Sequence, residues 1–122
     1  MPSDEEKVRL LRESEVLVLP SSEEGFGIVL LEANAAYTPF VCYDLPALIE
    51  LARATSGGLI ASHRDVDDLA SKTLAILENK QLAELLARKG RRAVNARFSW
   101  DKIARRIEYI YRKTLDYYNA KL

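Results

Sequence analysis

Apolar residues follow two rhythms along this chain. Three short runs are apolar at consecutive positions: Val16-Leu17-Val18-Leu19, Phe40-Val41-Cys42-Tyr43 and Leu59-Ile60-Ala61. Pro20 stops the first, Asp44 ends the second and Gly57-Gly58 precedes the third. Such runs suit strands buried on both faces. Between them the pattern is helical. Ser3 with Glu6 three residues later forms a capping box, followed by a helix with Asp4 and Glu5 at its positive start and Arg9 and Arg12 further on. Ile28 to Ala36 is good helix material, and Pro46 opens a short helix from Ala47 to Ala54. The order helix, strand, helix, strand, helix, strand predicts an α/β fold, a short parallel sheet of about three strands flanked by helices.

The remainder reads as a helical C-terminal third. Asp65 caps a helix whose apolar face is Val66, Leu69, Ala70, Leu74 and Leu77. Leu82, Leu85, Leu86, Ala93 and Val94 mark another, with an interruption expected near Gly90. Ser99 caps a last helix carrying Ile103, Ile107, Ile110, Tyr111, Leu115 and Tyr118 on one face. Three strands are few, because sheets average about five to six. The first strand is therefore expected to have an uncovered edge, completed by a second copy of the chain or by a segment the chain lacks.

At 122 residues with 48% hydrophobic and 30% charged residues, the composition is that of one globular domain. No apolar run approaches the ~20 residues needed to span a bilayer, and none at the start looks like a secretory signal. The single cysteine, Cys42, cannot form an internal disulfide, and one Cys with one His excludes a Cys/His structural zinc site. A reducing, cytoplasmic location is the expectation. The zero net charge hides an asymmetry. The first 87 residues hold 7 Lys/Arg and 15 Asp/Glu, a net of −8, and the last 35 hold 11 and 3, a net of +8. With no recognition motif and no overall basicity, nucleic acid is not an expected partner. The basic end is read as a solvated helix face, or as a surface for an anionic membrane or a partner domain.

The stretch that carries chemistry runs from Pro20 to Ala33. It leaves a buried strand, passes Gly25 and Gly27, and enters a helix. Open α/β sheets bind ligands at such strand ends. The first helical turn offers unpaired N–H groups and partial positive charge, and glycines let the backbone come close, so a phosphate is the natural occupant. Glu24 lies before the helix start and Glu32 about one and a half turns inside it. Two acids beside a phosphate are useful when each accepts hydrogen bonds from hydroxyls on either side of it. A nucleotide sugar has that shape: ribose diol, diphosphate, sugar diol. The bland alternative is a common glycine turn with acids that merely complement the helix dipole.

Pro20 to Glu32, with seven residues between Glu24 and Glu32, resembles the Glu-x7-Glu motif of family-four retaining glycosyltransferases of the GT-B fold. The similarity extends to Glu13–Ser21, Thr38-Pro39-Phe40-Val41, Leu45–Glu50, Gly57-Gly58-Leu59-Ile60, Asp65–Ala70 and Phe98-Ser99-Trp100-Asp101. The resemblance implies a truncated Rossmann-like domain, residues 1–122 forming a single partial nucleotide-sugar donor-binding domain. It implies donor-sugar contacts from Glu24, Gly25, Phe26 and Gly27, diphosphate contacts from the backbone of Ile28 and Val29, and ribose contacts from Glu32. It implies no metal and no cofactor besides the nucleotide sugar as donor substrate. Two positions depart from the family pattern. Tyr37 stands where a small residue, often glycine, ends the helix, and Asn34 puts an amide where an apolar side chain is common. The acceptor domain and the early donor-domain strands, with the Arg and Lys that grip the diphosphate, have no counterpart here. No basic residue lies between Arg12 and Arg53. An isolated chain without such clamps is expected to show little or no transferase activity.

Elsewhere, His63 is expected to be exposed, Cys42 to be a buried packing residue, and Glu50 to be either a surface acid or a neighbour of the donor site. A two-carboxylate glycoside hydrolase is a rival enzyme class. The alternative of a different kind is a non-catalytic module that self-associates through the sheet edge or the last helix.

Overall fold

The computed structural model describes all 122 residues. Nine elements follow in order: α1 (Asp4–Glu13), β1 (Leu17–Leu19), α2 (Ile28–Ala35), β2 (Phe40–Tyr43), α3 (Pro46–Thr55), β3 (Gly58–Ala61), α4 (Val66–Glu78), α5 (Lys80–Arg97) and α6 (Trp100–Ala120). The strands form one parallel sheet in the order β1-β2-β3, with Leu17 opposite Phe40 and Phe40 opposite Gly58. This is the expected α/β architecture, and the alternation of β2 side chains shows how its layers form. Phe40 and Cys42 pack with Leu30, Leu48 and Ala52 from α2 and α3 on one face. Val41 points to the other face, against Ile76 of α4 and Leu86 of α5. β1 pairs only with β2, so its outer edge is unpaired as expected; β3 leaves a second free edge.

Capping chemistry sets most of the helix starts. At α1, Glu6 N–H donates to Ser3 Oγ (3.2 Å) while Ser3 N–H donates to Glu6 Oε2 (3.1 Å), the reciprocal box read from the sequence. Asp65, Asn79 and Ser99 accept in the same way at α4, α5 and α6.

Two expectations need correction or refinement. α5 runs unbroken through Gly90. A side chain there would collide with the buried amide of Asn34, whose Cγ lies 2.4 Å from where a Cβ would stand. Gly90 is thus a packing notch, and tertiary contact overrides its poor helix propensity. Tyr37 adopts φ 68°, the left-handed backbone that glycine takes at little cost. Tyr37 N–H donates to Asn34 O (3.1 Å) and Thr38 N–H to Ala33 O (2.9 Å), a complete Schellman stop for α2 with tyrosine in the glycine place.

Candidate functional site

The β1–α2 turn lies at the carboxyl end of the sheet, where the β2–α3 and β3–α4 loops also emerge. Gly27 is its pivot. It is the N-cap of α2 with φ 83°, and a Cβ there would lie 2.4 Å from the Leu48 methyl. Only glycine brings the chain so close to α3 and then turns it into α2. Gly25 is different, because a Cβ there would meet open space and its φ is not in the left-handed region. The packing of the fold therefore demands glycine at Gly27 and leaves Gly25 free of such a demand.

α2 begins with no side-chain cap and no acid in its first turn. The amides of Ile28 and Val29 therefore open the helix with their positive end uncompensated. Phe26 and Ile28 are exposed beside them. Glu24 sits in the turn, its Cγ 3.7 Å from the Cβ position of Gly27 and its Oε2 3.4 Å from Ser21 Oγ, which donates to it. Glu32 is half-buried on α2 and lines a groove of about 360 Å³ with Phe26, Ile28, Phe98 and Trp100. Of the residues that the sequence named, Phe26, Ile28 and Glu32 share this groove, while Glu24 sits in the turn beside Gly27.

Sequence reasoning missed one cation. Lys7 of α1 reaches across 25 residues and donates from Nζ to Glu32 Oε1 at 2.8 Å. The hydrogen bond and the attraction of Glu32 raise the Lys7 pKa above the usual lysine value, which keeps it an ammonium. A faint signal was present: Lys7 is one helical turn before Leu11, the only buried residue of α1, so both face the body of the fold. Lys7 lies before β1, outside the Arg12–Arg53 interval that holds no basic residue.

The remaining candidates fall as read. Cys42 is fully buried, and desolvation, with Asp44 nearby, pushes its thiol up to about 11, so it is a packing group. His63 is exposed, its ring edge-on to Tyr43 with centroids 5.9 Å apart. Glu50 is exposed on α3. The basic end is partly explained by helix ends. Arg91 donates to Ala35 O at the end of α2, Arg97 to Ala54 O (3.4 Å) near the end of α3, and Lys102 to Asn95 O (3.1 Å) and Ala96 O (3.0 Å) near the end of α5. Cations there meet the negative pole of each helix. No helix is long and apolar enough to cross a membrane.

Comparison with known proteins agrees with this geometry. The family model described as "Glycosyl transferases group 1" matches residues 1–93. A glycogen synthase of Mycobacterium tuberculosis is 34% identical over 106 residues, covering 87% of this chain and 26% of the relative. A phosphatidyl-myo-inositol mannosyltransferase of Mycobacterium leprae is 36% identical over 109 residues, covering 88% and 29%. An uncharacterised glycosyltransferase of Methanocaldococcus jannaschii is 30% identical over 114 residues, covering 93% and 32%. The chain therefore spans about a quarter to a third of the length of these relatives. Among solved structures, a sucrose-phosphate synthase from Thermosynechococcus elongatus superposes with a TM-score of 0.82 at 30% identity, over 93% of this chain and 29% of that one. TarM shares the fold, with a TM-score of 0.75 at 21% identity over 90% of this chain and 22% of that one. The layered sheet is that of GT-B proteins, and the chain belongs to the group 1 glycosyltransferases.

Proposed function

We propose that this chain is the donor-binding part of a glycosyltransferase and that it binds a nucleoside diphosphate sugar at the β1–α2 turn. The observation that carries the reading is the start of α2, uncapped and pivoted on a glycine in left-handed conformation at the carboxyl end of a parallel sheet. The diphosphate accepts hydrogen bonds from the Ile28 and Val29 amides, where the helix dipole favours negative charge. Glu24 accepts from the hydroxyls of the donor sugar, with Gly25, Phe26 and Gly27 forming the wall beside it. Glu32 accepts from the ribose hydroxyls. In the reaction the bond from the sugar's anomeric carbon to the diphosphate breaks. A bond from that carbon to an acceptor hydroxyl forms, and the acceptor proton is released. This chain's part is to hold the donor and to stabilise charge on the leaving diphosphate. Nothing in it marks an acceptor site, so the isolated chain binds donor and transfers little or no sugar. The working location is cytoplasmic, and the acceptor half is supplied by the rest of a longer protein or by a second chain.

Calorimetric titration with UDP-, GDP- and ADP-glucose tests the reading. Binding of at least one of them, lost in Glu32→Ala with the fold retained by circular dichroism, is the expected result. The absence of heat with all three would leave the second reading, a self-associating module. The uncovered apolar face of α6, with Ile107, Ile110, Tyr111 and Leu115 all exposed, favours that one.

A further inference from the structure

Glu32 and Glu24 present a charge problem that the donor site must solve. A nucleoside diphosphate adds at least two negative charges beside them, and the start of α2 supplies only a partial positive charge. Lys7 is the cation that meets the inner acid. Its Nζ holds Glu32 Oε1 at 2.8 Å, while Asp4 Oδ1 is the only other acid within ion-pair range, at the margin of 3.9 Å. The pair is partly screened, the Lys7 and Glu32 side chains being 40% and 31% exposed. It bridges α1 and α2 where a shallow groove opens between them, lined by Asp4, Lys7, Val8, Leu11, Glu32 and Ala35 among others.

We infer that Lys7 is a positioning residue for the donor, fixing the Glu32 carboxylate through Oε1 and offsetting its charge so that Oε2 can accept from ribose hydroxyls beside a diphosphate. The inference rests on the donor-site reading above. A carboxylate has acceptor capacity on both oxygens, and an ammonium that occupies one leaves the other free and the rotamer held. Loss of the ammonium would leave Glu32 a bare anion facing the diphosphate and free to swing. Two other roles predict different behaviour. A latch that ribose must displace would make the donor bind tighter once Lys7 is removed. A mere α1–α2 staple would change stability and leave affinity alone.

Lys7→Met keeps the aliphatic stem and removes the charge, and Lys7→Arg keeps the charge. Affinities of the native chain and both variants for UDP, GDP and ADP, and for uridine, guanosine and adenosine, are measured by calorimetry at two salt concentrations. The thermal midpoint controls for folding. In Lys7→Met the nucleoside diphosphate that the native chain prefers is expected to bind roughly three- to tenfold more weakly, the range for a partly exposed charge-assisted contact. The matching nucleoside loses less, and Lys7→Arg recovers most of the loss. Equal or tighter binding in Lys7→Met overturns the inference, and if Glu32→Ala still abolishes binding the donor-site reading survives it. Failure of the native chain to bind any of the three nucleoside diphosphates overturns both.

Discussion

Asn34 shows how one side chain can dictate residues far along the sequence. Fully buried, it donates from Nδ2 to Thr38 O and Gly57 O, both at 3.1 Å, while its Oδ1 finds no donor. A Cβ at Gly57 would stand 2.2 Å from Oδ1 and one at Gly90 2.4 Å from Cγ, so both glycines exist to admit this amide. The sequence showed that Asn34 was unusual but could not show what it touched, because its neighbours lie 23 and 56 residues downstream. Helix propensity alone says Gly90→Ala should stabilise by about 1 kcal/mol. The packing reverses the sign: a loss of about 1–3 kcal/mol in chemical denaturation is expected, shrinking when Asn34→Ala is combined with it. Tyr37 invites the opposite change. Replacing it by glycine relieves left-handed strain of about 1 kcal/mol, so Tyr37→Gly should raise the denaturation midpoint modestly. Cys42 adds a pH test. Because its folded pKa is raised to about 11, the neutral thiol's contribution is complete below the unfolded value of about 8.5 and fades as pH rises toward 11. Alkylation of Cys42 at pH 8 should therefore proceed only as fast as the chain unfolds.

Helix boundaries were legible where a side chain caps locally, at Ser3, Asp65 and Ser99, because the cap and its partner lie three residues apart. Contacts between elements were not. The Lys7–Glu32 pair, and the arginines that close α2 and α3, needed the packed arrangement to be seen. Asp68 shows what one local pair contributes. It accepts from Ser62 N–H at 2.7 Å, with Lys72 Nζ 4.0 Å away, and these hold its carboxyl below the usual range, the Ser62 hydrogen bond first. A depressed folded pKa means that stabilisation is present above the unfolded value of about 3.9 and lost as pH falls through the folded one. Asp68→Asn should thus destabilise the start of α4 at pH 7, and in denaturation curves the difference from the native chain should shrink steadily as pH falls below about 3.9.

The whole molecule exposes more surface than its mass warrants. Its accessible area is 8722 Å², whereas a compact monomer of 13.8 kDa exposes about 6,600 Å². α6 accounts for much of the excess, since none of its 21 residues is buried although a continuous apolar stripe runs along it. Together with the two free sheet edges, this leaves a large apolar surface uncovered in a chain that spans about a quarter to a third of the length of its relatives. Under the self-associating reading, charged replacements at Ile107 and Ile110 should leave the thermal midpoint of the body unchanged and shift sedimentation toward the monomer; a native chain that sediments as a monomer would contradict that reading. Periodicity revealed the stripe on α6; that it stands clear of the sheet depends on the packed fold and could not be read from periodicity.

The central claim is that a glycine-pivoted helix start holds a diphosphate, and amide chemical shifts measure this at the atoms concerned. On titration with the nucleoside diphosphate the chain prefers, the backbone signals of Ile28 and Val29 should move furthest and saturate together, with Glu32 shifting alongside. Shifts confined to other surfaces, with those two amides unmoved at saturation, would contradict the account.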